Sequence, residues 1–332
     1  MVRILVALIL PGLFCFSCRA HNTPKANLES SETANWWKKD NWKKKVPQGY
    51  DEMEIEAKWT LASAADFQKL VNYFNDHDKD KLLGYRLEVR WGRQPRLFHD
   101  RYFDTKDGLL ETNHHTLRHR QRLKQASESN KPWSGKLSKV VDQNYKAEWD
   151  RVQYKSTPTR IGPVWFRNEV GECLVWSKVQ TNLDNEDGSA IFCPGIEPSL
   201  SAADKIIGDI EDIHPAITQL LTDHPNARGK AFKHTVDIND WRYRVVFQKE
   251  KNGKYETMYE MSIDGLLVEN VADRTSREQY EVEMEIIQDT PRYSDNSIDS
   301  LMDLCRALEI DLFKDKLGIR VKHSEFSKSG VR

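Results

Sequence analysis

The sequence predicts an α+β fold that is mainly β, with antiparallel strands and a few helices. Two patterns support this prediction. Many segments after Tyr50 alternate charged and apolar residues with a period of two, which places the two kinds on opposite faces of a strand. A few other segments repeat apolar residues at helical spacing. The 332 residues, 39% of them hydrophobic, are enough to bury a core in one large domain or two small ones.

The charges in these strands form rows, several of them of one sign. The rows comprise Glu54, Glu56 and Lys58; Arg118, Arg120, Arg122 and Lys124; Lys146, Glu148 and Asp150; Arg242 and Arg244; Glu260, Ser262 and Asp264; and Glu281, Glu283 and Glu285. Antiparallel strands with solvated outer faces explain any single row. Like charges on one face repel, however, so the set favours a closed barrel with a charged interior. There the basic rows would hold phosphate oxygens and the acidic rows a hard divalent cation.

Three segments predict helices that face the core. The first covers residues 63–75, where Ser63 can cap the helix and apolar residues fall on one face. The others cover residues 201–222 and 297–310, which carry similar apolar stripes. The stretch at about 157–230 separates two groups of strands and contains a polar, turn-rich run at 182–189. We therefore predict an insertion there.

The first twenty residues predict an export signal. Arg3 precedes an apolar run, residues 4–16, that is too short to span a bilayer as a helix. Cys18 resembles the lipidated residue of a bacterial lipoprotein, and the alternative is ordinary cleavage after Ala20. The predicted location is the periplasm or a membrane to which lipidated Cys18 anchors the protein; otherwise the protein is secreted.

Residues 21–48 are polar and predict a tether in front of a domain at 49–332. Few aliphatic residues occur in this segment, which is typical of a chain without its own core. Its tryptophans and lysines, between Trp36 and Lys45, either contact an anionic surface or pack on the domain.

The composition excludes several classes of protein. Lysine and arginine total 50 against 51 acidic residues, and the net charge of −1 excludes a protein that holds nucleic acid through bulk positive charge. Five cysteines are too few for a small disulfide scaffold, and no cysteine or histidine cluster has the spacing of a zinc site. Cys173 and Cys193 can pair in an oxidising compartment, and the sequence leaves this pairing open.

Six segments resemble, in order, the motifs of the CYTH superfamily, the triphosphate tunnel metalloenzymes. They are EIEAK at 54–58 (ExExK), RYFDT at 101–105 (YFDT), LRHR at 117–120 (LRxR), KAEWD at 146–150 (RxExE), EMSID at 260–264 (ExxxD) and EVEME at 281–285 (ExE). The resemblance implies an eight-stranded antiparallel closed barrel, a tunnel, with helices packed outside. It also implies chemistry on triphosphates with Mg²⁺ or Mn²⁺.

The resemblance further implies roles for particular side chains. The metal ligands would be Glu54 and Glu56, with Glu283 and Glu285, or Glu281 and Glu283, opposite them. The phosphate ligands would be Lys58, Arg118, Arg120, Lys136, Arg242, Arg244 and Lys322. Glu148 and Asp150 would be the catalytic pair, which serves a second metal or positions water. Arg242 and Arg244 stand where the family has a lysine and an arginine.

The predicted function is that of an exported, metal-dependent triphosphatase. Its partner would be a small polyanionic triphosphate, with inorganic triphosphate or polyphosphate favoured because ATP and nascent RNA are scarce outside the cytoplasm. Two alternatives remain open: a nucleoside triphosphatase or adenylyl cyclase-type activity, and an envelope protein that binds polyphosphate without turning it over.

Overall fold

The computed structural model describes residues 54–91, 94–125, 137, 145–167, 169–175, 215–227, 232–287 and 295–324. The predicted signal at 1–20, the predicted tether at 21–48 and Lys136 lie outside this part of the chain. The predicted pairing of Cys173 with Cys193 also falls outside it, because neither side chain is described. Cys305 is a buried free thiol.

Thirteen strands and four α-helices make up the described residues. The strands are β1 (Glu54–Leu61), β2 (Lys81–Leu82), β3 (Tyr85–Val89), β4 (Arg96–Thr105), β5 (Thr116–Gln125), β6 (Tyr145–Lys155), β7 (Thr159–Ile161), β8 (Val164–Arg167), β9 (Glu169–Val175), β10 (Phe232–Lys251), β11 (Lys254–Asn270), β12 (Ser276–Ile286) and β13 (Val321–His323). The helices are α1 (Ala64–Asp76), α2 (Leu109–Thr112), α3 (Pro215–Asp223) and α4 (Asp295–Ala307). A 3₁₀ turn, Pro225–Ala227, follows α3, and a π-helical segment, Leu308–Lys316, extends α4.

All of these strands belong to one sheet, and every strand pair is antiparallel. The main path runs β7-β8-β1-β12-β11-β10-β4-β5-β6-β9, with β13 beside β1 and the β2–β3 hairpin beside β10. This confirms the predicted mainly β fold with few helices. The described sheet has thirteen strands, more than the eight that the resemblance implies. The count includes short strands such as β7 and β8.

The two ends of the sheet are joined by one stretch of chain. β8 pairs with β1 near one end of the path, and β9 pairs with β6 at the other. Residue 168 alone separates β8 from β9, so the sheet must curve until these ends approach each other. Backbone pairing between β9 and β7 is not among the described strand pairs, so a closed ring of backbone hydrogen bonds is not shown. All three strands lie within the stretch predicted as an insertion.

The main hydrophobic core lies on the outer face of the sheet. Apolar residues of β1, β3 and β10–β12 pack there against α1 and α4. The predicted first helix is α1, and Ser63 caps it by accepting a hydrogen bond from the Asp66 backbone N–H at 3.2 Å. On α1, Phe67, Leu70 and the neighbouring apolar residues are buried, as the stripe predicts.

The third predicted helix is also present and longer than expected. The stripe at 297–310 falls on α4 and the start of its π-helical extension. Its apolar members, Ile298, Leu301, Met302, Cys305 and Leu308, are buried. Of the second predicted helix only the part in α3 is described. Within the described ranges, no helix combines the length and the apolar character needed to cross a membrane.

Candidate functional site

The charged residues of β1 share one face of the strand. Glu54, Glu56 and Lys58 alternate with Ile55 and Ala57, which belong to the core on the outer face. Glu56 and Lys58 are nonetheless buried, so the opposite face does not look into open solvent. The period of two in the sequence therefore separates an apolar outer face from a charged inner face.

The acidic row of β12 runs beside this charged row. Glu285 lies opposite Glu56, and Glu283 lies opposite Lys58. On the other side of β12, Glu285 lies opposite Glu260 of β11. Directly opposite residues in antiparallel strands project from the same face, so these side chains form one continuous wall.

Three carboxylates converge in this wall. Glu54, Glu56 and Glu285 offer oxygens that all lie within 4.8 Å of one another. Burial, and then the charges of neighbouring carboxylates, raise the pKa of Glu285 to about 8. Carboxylate oxygens are the ligands that Mg²⁺ and Mn²⁺ prefer, and a cation here would relieve the repulsion. The residues of this acidic cluster therefore fit a hard divalent cation.

Glu54 differs from Glu285 because basic groups face it. Burial alone would raise the pKa of Glu54, but Lys155 and Arg167 hold it well below its ordinary value. The Lys155 Nζ atom lies 2.8 Å from Glu54 Oε1, and the Arg167 Nε atom lies 2.9 Å from Glu54 Oε2. Glu54 is thus ionised at neutral pH without any metal.

Ion pairs continue from the acidic cluster along the inner face. The Lys58 Nζ atom lies 3.1 Å from Glu56 Oε1 and 2.6 Å from Glu283 Oε1. Arg242 of β10 donates to the other oxygen of Glu283 at 2.9 Å and makes two hydrogen bonds to Asp264, at 2.9 and 2.7 Å. Burial alone would lower the pKa of Arg242, but these carboxylates hold it well above the ordinary value.

The next contacts cross from β10 to β4 and β5. Asp240 Oδ2 lies 3.5 Å from a terminal nitrogen of Arg242 and 3.4 Å from one of Arg120. Arg120 also donates two hydrogen bonds of 2.6 Å to Asp100. Arg118 reaches the same Asp100 at 3.4 Å. Two arginines of β5 therefore share one fully buried carboxylate.

The last contacts return to the acidic cluster through β6 and β9. Arg118 Nε donates to Gln153 Oε1 at 2.7 Å, and Gln153 in turn donates to Glu169. The Lys155 Nζ atom lies 2.5 Å from Glu169 Oε2 and, as noted, contacts Glu54. Side chains near the two ends of the strand path, Lys155 on β6 and Glu54 on β1, are thus in contact with each other.

Arg167, which binds Glu54, also pairs with Glu56, and this contact closes the series into a loop that we call the ion-pair ring. Its basic members are Lys58, Arg118, Arg120, Lys155, Arg167 and Arg242; its acidic members are Glu54, Glu56, Asp100, Glu169, Asp240 and Glu283; Gln153 completes it. Six basic groups face six carboxylates, so the ring carries no formal net charge. Because the loop crosses both ends of the sheet, its side chains face one shared interior.

The ion-pair ring accounts for four of the seven predicted phosphate ligands: Lys58, Arg118, Arg120 and Arg242. Arg244 lies next to it, with its Nε atom 2.5 Å from Glu260 Oε1, and burial lowers the pKa of Arg244. Lys322 of β13 lies opposite Thr60, two residues along β1 from Lys58, and its side chain is exposed; its phosphate-binding role stays a prediction. The seventh, Lys136, lies outside the described residues.

The predicted metal ligands separate into two groups. Glu285 joins Glu54 and Glu56, whereas Glu283 is paired with two basic groups of the ion-pair ring. Glu281 is buried opposite Asp264 and accepts a hydrogen bond from Gln279. Among the described acidic residues of β12, Glu285 therefore lies with Glu54 and Glu56, and the metal-binding roles of all three β12 glutamates stay predictions.

The predicted catalytic pair lies on β6, whose backbone is described. Asp150 pairs with Gln121, and the register shifts next to Glu148, between the pairs Arg122–Trp149 and Leu123–Ala147. The side chains of Glu148 and Asp150 lie outside the described part of the chain. Their catalytic role stays a prediction.

Several members of the ion-pair ring were not singled out from the sequence: Gln153, Lys155, Arg167, Glu169, Asp100 and Asp240. Asp240 extends the alternating row of Arg242 and Arg244 by one step, a signal that the sequence offers. Asp104, within the YFDT-like segment, instead accepts hydrogen bonds from the backbone N–H groups of Thr105, Leu110 and Glu111. It fixes the start of α2 rather than facing the ring.

The fold and the site together define a class of protein. It is an antiparallel β protein with its apolar core outside one curved sheet, and with paired charges and a carboxylate cluster inside. Such an interior suits a small, highly charged guest and a divalent cation rather than an apolar ligand.

Comparisons with known proteins give matches among solved structures only; no protein-family model and no curated protein matches the chain. HpAC1 from Hippeastrum, named as an adenylyl cyclase and described as having a dominant triphosphatase activity, is 17% identical, with 83% of this chain and 93% of HpAC1 covered and a TM-score of 0.45. A Bacillus halodurans protein named as an adenylate cyclase is 14% identical, with 78% and 91% covered and a TM-score of 0.37. The mimivirus capping enzyme triphosphatase is 10% identical, with 78% and 90% covered and a TM-score of 0.29.

Proposed function

We propose that this protein is a metal-dependent triphosphatase that hydrolyses a phosphoanhydride bond. Inorganic triphosphate or polyphosphate is the favoured substrate, and a nucleoside triphosphate is the alternative. One observation carries the proposal: a carboxylate cluster fit for a divalent cation adjoins the arginines and lysines of the ion-pair ring on one enclosed face. Basic groups that surround one interior match the several anionic groups of a triphosphate.

The charge balance of the interior supports a strict requirement for metal. The basic side chains of the ion-pair ring already face an equal number of ring carboxylates, and buried Asp264 adds another beside Arg242, so the ring offers a bare triphosphate no net attraction. Bound to Glu54, Glu56 and Glu285, a divalent cation would neutralise phosphate oxygens and the charge that develops during phosphoryl transfer. Its binding would also leave basic groups such as Arg167 and Lys155 freer to contact phosphate.

The side chains of this chain would supply binding and orientation. Arg118 and Arg120 would contact phosphate oxygens with planar guanidinium groups, and Lys58 would do so as a point charge. A loose phosphoryl-transfer transition state needs charge neutralisation and an in-line water more than covalent chemistry. Glu148 is the proposed group that accepts the proton of that water.

The proposal includes export of the protein. It rests on the N-terminal segment, where Arg3 and the apolar run before Cys18 have the pattern of a signal peptide. Fractionation of cells that express the full chain tests this part, with metabolic labelling by a palmitate analogue as the readout for lipidation at Cys18. Full-length protein that remains cytoplasmic and unlabelled would contradict export, while C18S separates lipidation from cleavage.

A substrate panel tests the activity. Purified protein is given tripolyphosphate, long-chain polyphosphate, ATP or thiamine triphosphate, each with Mg²⁺, Mn²⁺ or EDTA, and orthophosphate and cyclic nucleotide are measured. We expect orthophosphate from tripolyphosphate with metal and none with EDTA. Full activity in EDTA would overturn metal dependence. Stabilisation by tripolyphosphate without any release of phosphate would instead indicate the binding protein.

A further inference from the structure

Trp165 lies on the inner face of the sheet, within the stretch predicted as an insertion. Its neighbours Val164 and Phe166 belong to the core on the outer face, so strand alternation turns Trp165 the other way. The register sets it opposite Glu56 of the acidic cluster. Only 1% of Trp165 is exposed.

The indole of Trp165 is in contact with basic groups of the ion-pair ring. The Lys58 Nζ atom lies 5.3 Å from the ring centroid, and the Arg167 guanidinium carbon lies 5.5 Å from it. Arg160, at 5.8 Å, contacts the ring as well and also donates to the Ser324 carbonyl. Cations within about 6 Å of an indole are attracted to it, so Trp165 helps to hold Lys58 and Arg167 in place.

The Nε1–H group of Trp165 has no hydrogen-bond partner among the described residues, although it is buried. Buried indole N–H groups usually find an acceptor, because leaving one unpaired costs free energy. Trp59 shows the usual situation on the outer face, where its Nε1–H donates to Glu309 at 3.2 Å. An acceptor is therefore expected beside the Nε1–H group of Trp165. The neighbouring cations, Lys58 and Arg167, already bind carboxylates and can bind other anions.

We propose that Trp165 is a substrate-binding residue whose indole N–H donates to an oxygen of a phosphoryl group held by Lys58 and Arg167. Both cations contact the same indole, so a phosphoryl group between them brings its oxygens next to the ring. The proposal rests on the proposed function, because it assigns a further contact to the same triphosphate. It requires only that the triphosphate binds, not that it is hydrolysed.

The substitution W165F tests the hydrogen bond, because phenylalanine keeps an aromatic ring near the cations but removes the N–H donor. Loss of one hydrogen bond to a charged group should raise the KM for tripolyphosphate roughly tenfold to a hundredfold. The Kd for tripolyphosphate, measured in the presence of Mg²⁺, should rise by a similar factor. The value of kcat should change little if the bond is equally strong in the ground and transition states. W59F is the matched control: it should lower the melting temperature without changing KM or Kd.

Nuclear magnetic resonance gives a readout that a merely structural role would not move. The indole proton of Trp165 is assigned by its absence from the W165F spectrum and followed as tripolyphosphate is added with Mg²⁺. We expect a downfield shift that saturates with binding. An unshifted signal, or a W165F variant with unchanged Kd, would overturn the proposal. A wild-type protein that binds tripolyphosphate but releases no phosphate would overturn hydrolysis alone.

Discussion

The two faces of strand β1 stabilise the molecule in different ways. On the outer face Ile55, Ala57 and Trp59 are buried against apolar side chains, and the stabilisation scales with the area removed from water. On the inner face Glu56 and Lys58 are equally buried but depend on oppositely charged partners at defined distances. Outer-face substitutions should therefore cost stability and spare activity, whereas inner-face substitutions should cost activity, and also stability where they remove the partner of a buried charge.

The sharpest test on the inner face is E285Q. It removes one of the three converging carboxylates without changing side-chain size, so we expect metal-dependent phosphate release to fall by about a hundredfold to a thousandfold. The melting temperature in EDTA at pH 7 should change little, because the raised pKa of Glu285 already leaves most of these side chains uncharged there. E256Q, at an exposed position of β11, is the control. Unchanged turnover in E285Q would exclude the acidic cluster as the metal site.

The corresponding outer-face test is W59A. Trp59 is fully buried and packs edge-to-face on Phe313 with 5.8 Å between ring centroids. We expect its truncation to lower the free energy of unfolding by about 3 to 5 kcal/mol, as measured by urea titration. The KM of the folded fraction should not change. A raised KM with unchanged stability would show that the two faces are not separable.

Two arginines of the ion-pair ring sharpen the comparison within the inner face. R242A leaves buried Asp264 without its two hydrogen bonds, so we expect a loss of about 3 kcal/mol in the free energy of unfolding. In R118A, Asp100 keeps both bonds from Arg120, and the expected loss is about 1 kcal/mol. Equal losses in the two variants, measured by thermal unfolding, would contradict this account of the ring.

The smallest expected effect lies far from the ring. Burial, and then the neighbouring His224, lower the pKa of His115 to about 4, and Tyr154 contacts the same imidazole. The unfolded state then binds more protons between about pH 6.5 and pH 4, so stability falls as pH decreases through this range. Allowing for solvent screening, we expect about 1 kcal/mol, measured by urea titration at pH 7 and pH 5. H115Q should remove this component, and an unchanged pH dependence would refute it.

Much of the inner face follows from the sequence because its strands are regular. On β1 and β12 an unbroken period of two identifies Glu54, Glu56, Lys58 and Glu285 as residues of one face. On β6 the backbone register against β5 shifts next to Glu148, so the pairing there does not follow one unbroken period.

The rest of the site could not be predicted because it depends on contacts between distant segments. Arg167 and Glu169 occupy short strands that join opposite ends of the sheet, and a local pattern carries no information about such pairing. Asp100 lies between Phe98 and Tyr102 in the sequence. A single carboxylate at this position forms no row of charges, so the pattern does not predict a role for it. Only the folded structure shows that two arginines meet there.

The internal neutrality of the ion-pair ring also bears on how a guest arrives. Opposite charges that cancel within a few ångströms contribute little electrostatic potential at a distance. A polyanion would therefore approach by ordinary diffusion instead of being drawn in from a distance, and added salt should barely slow its capture. Discrimination among guests would then depend on the dissociation rate of each guest, and thus on the contacts it makes once inside.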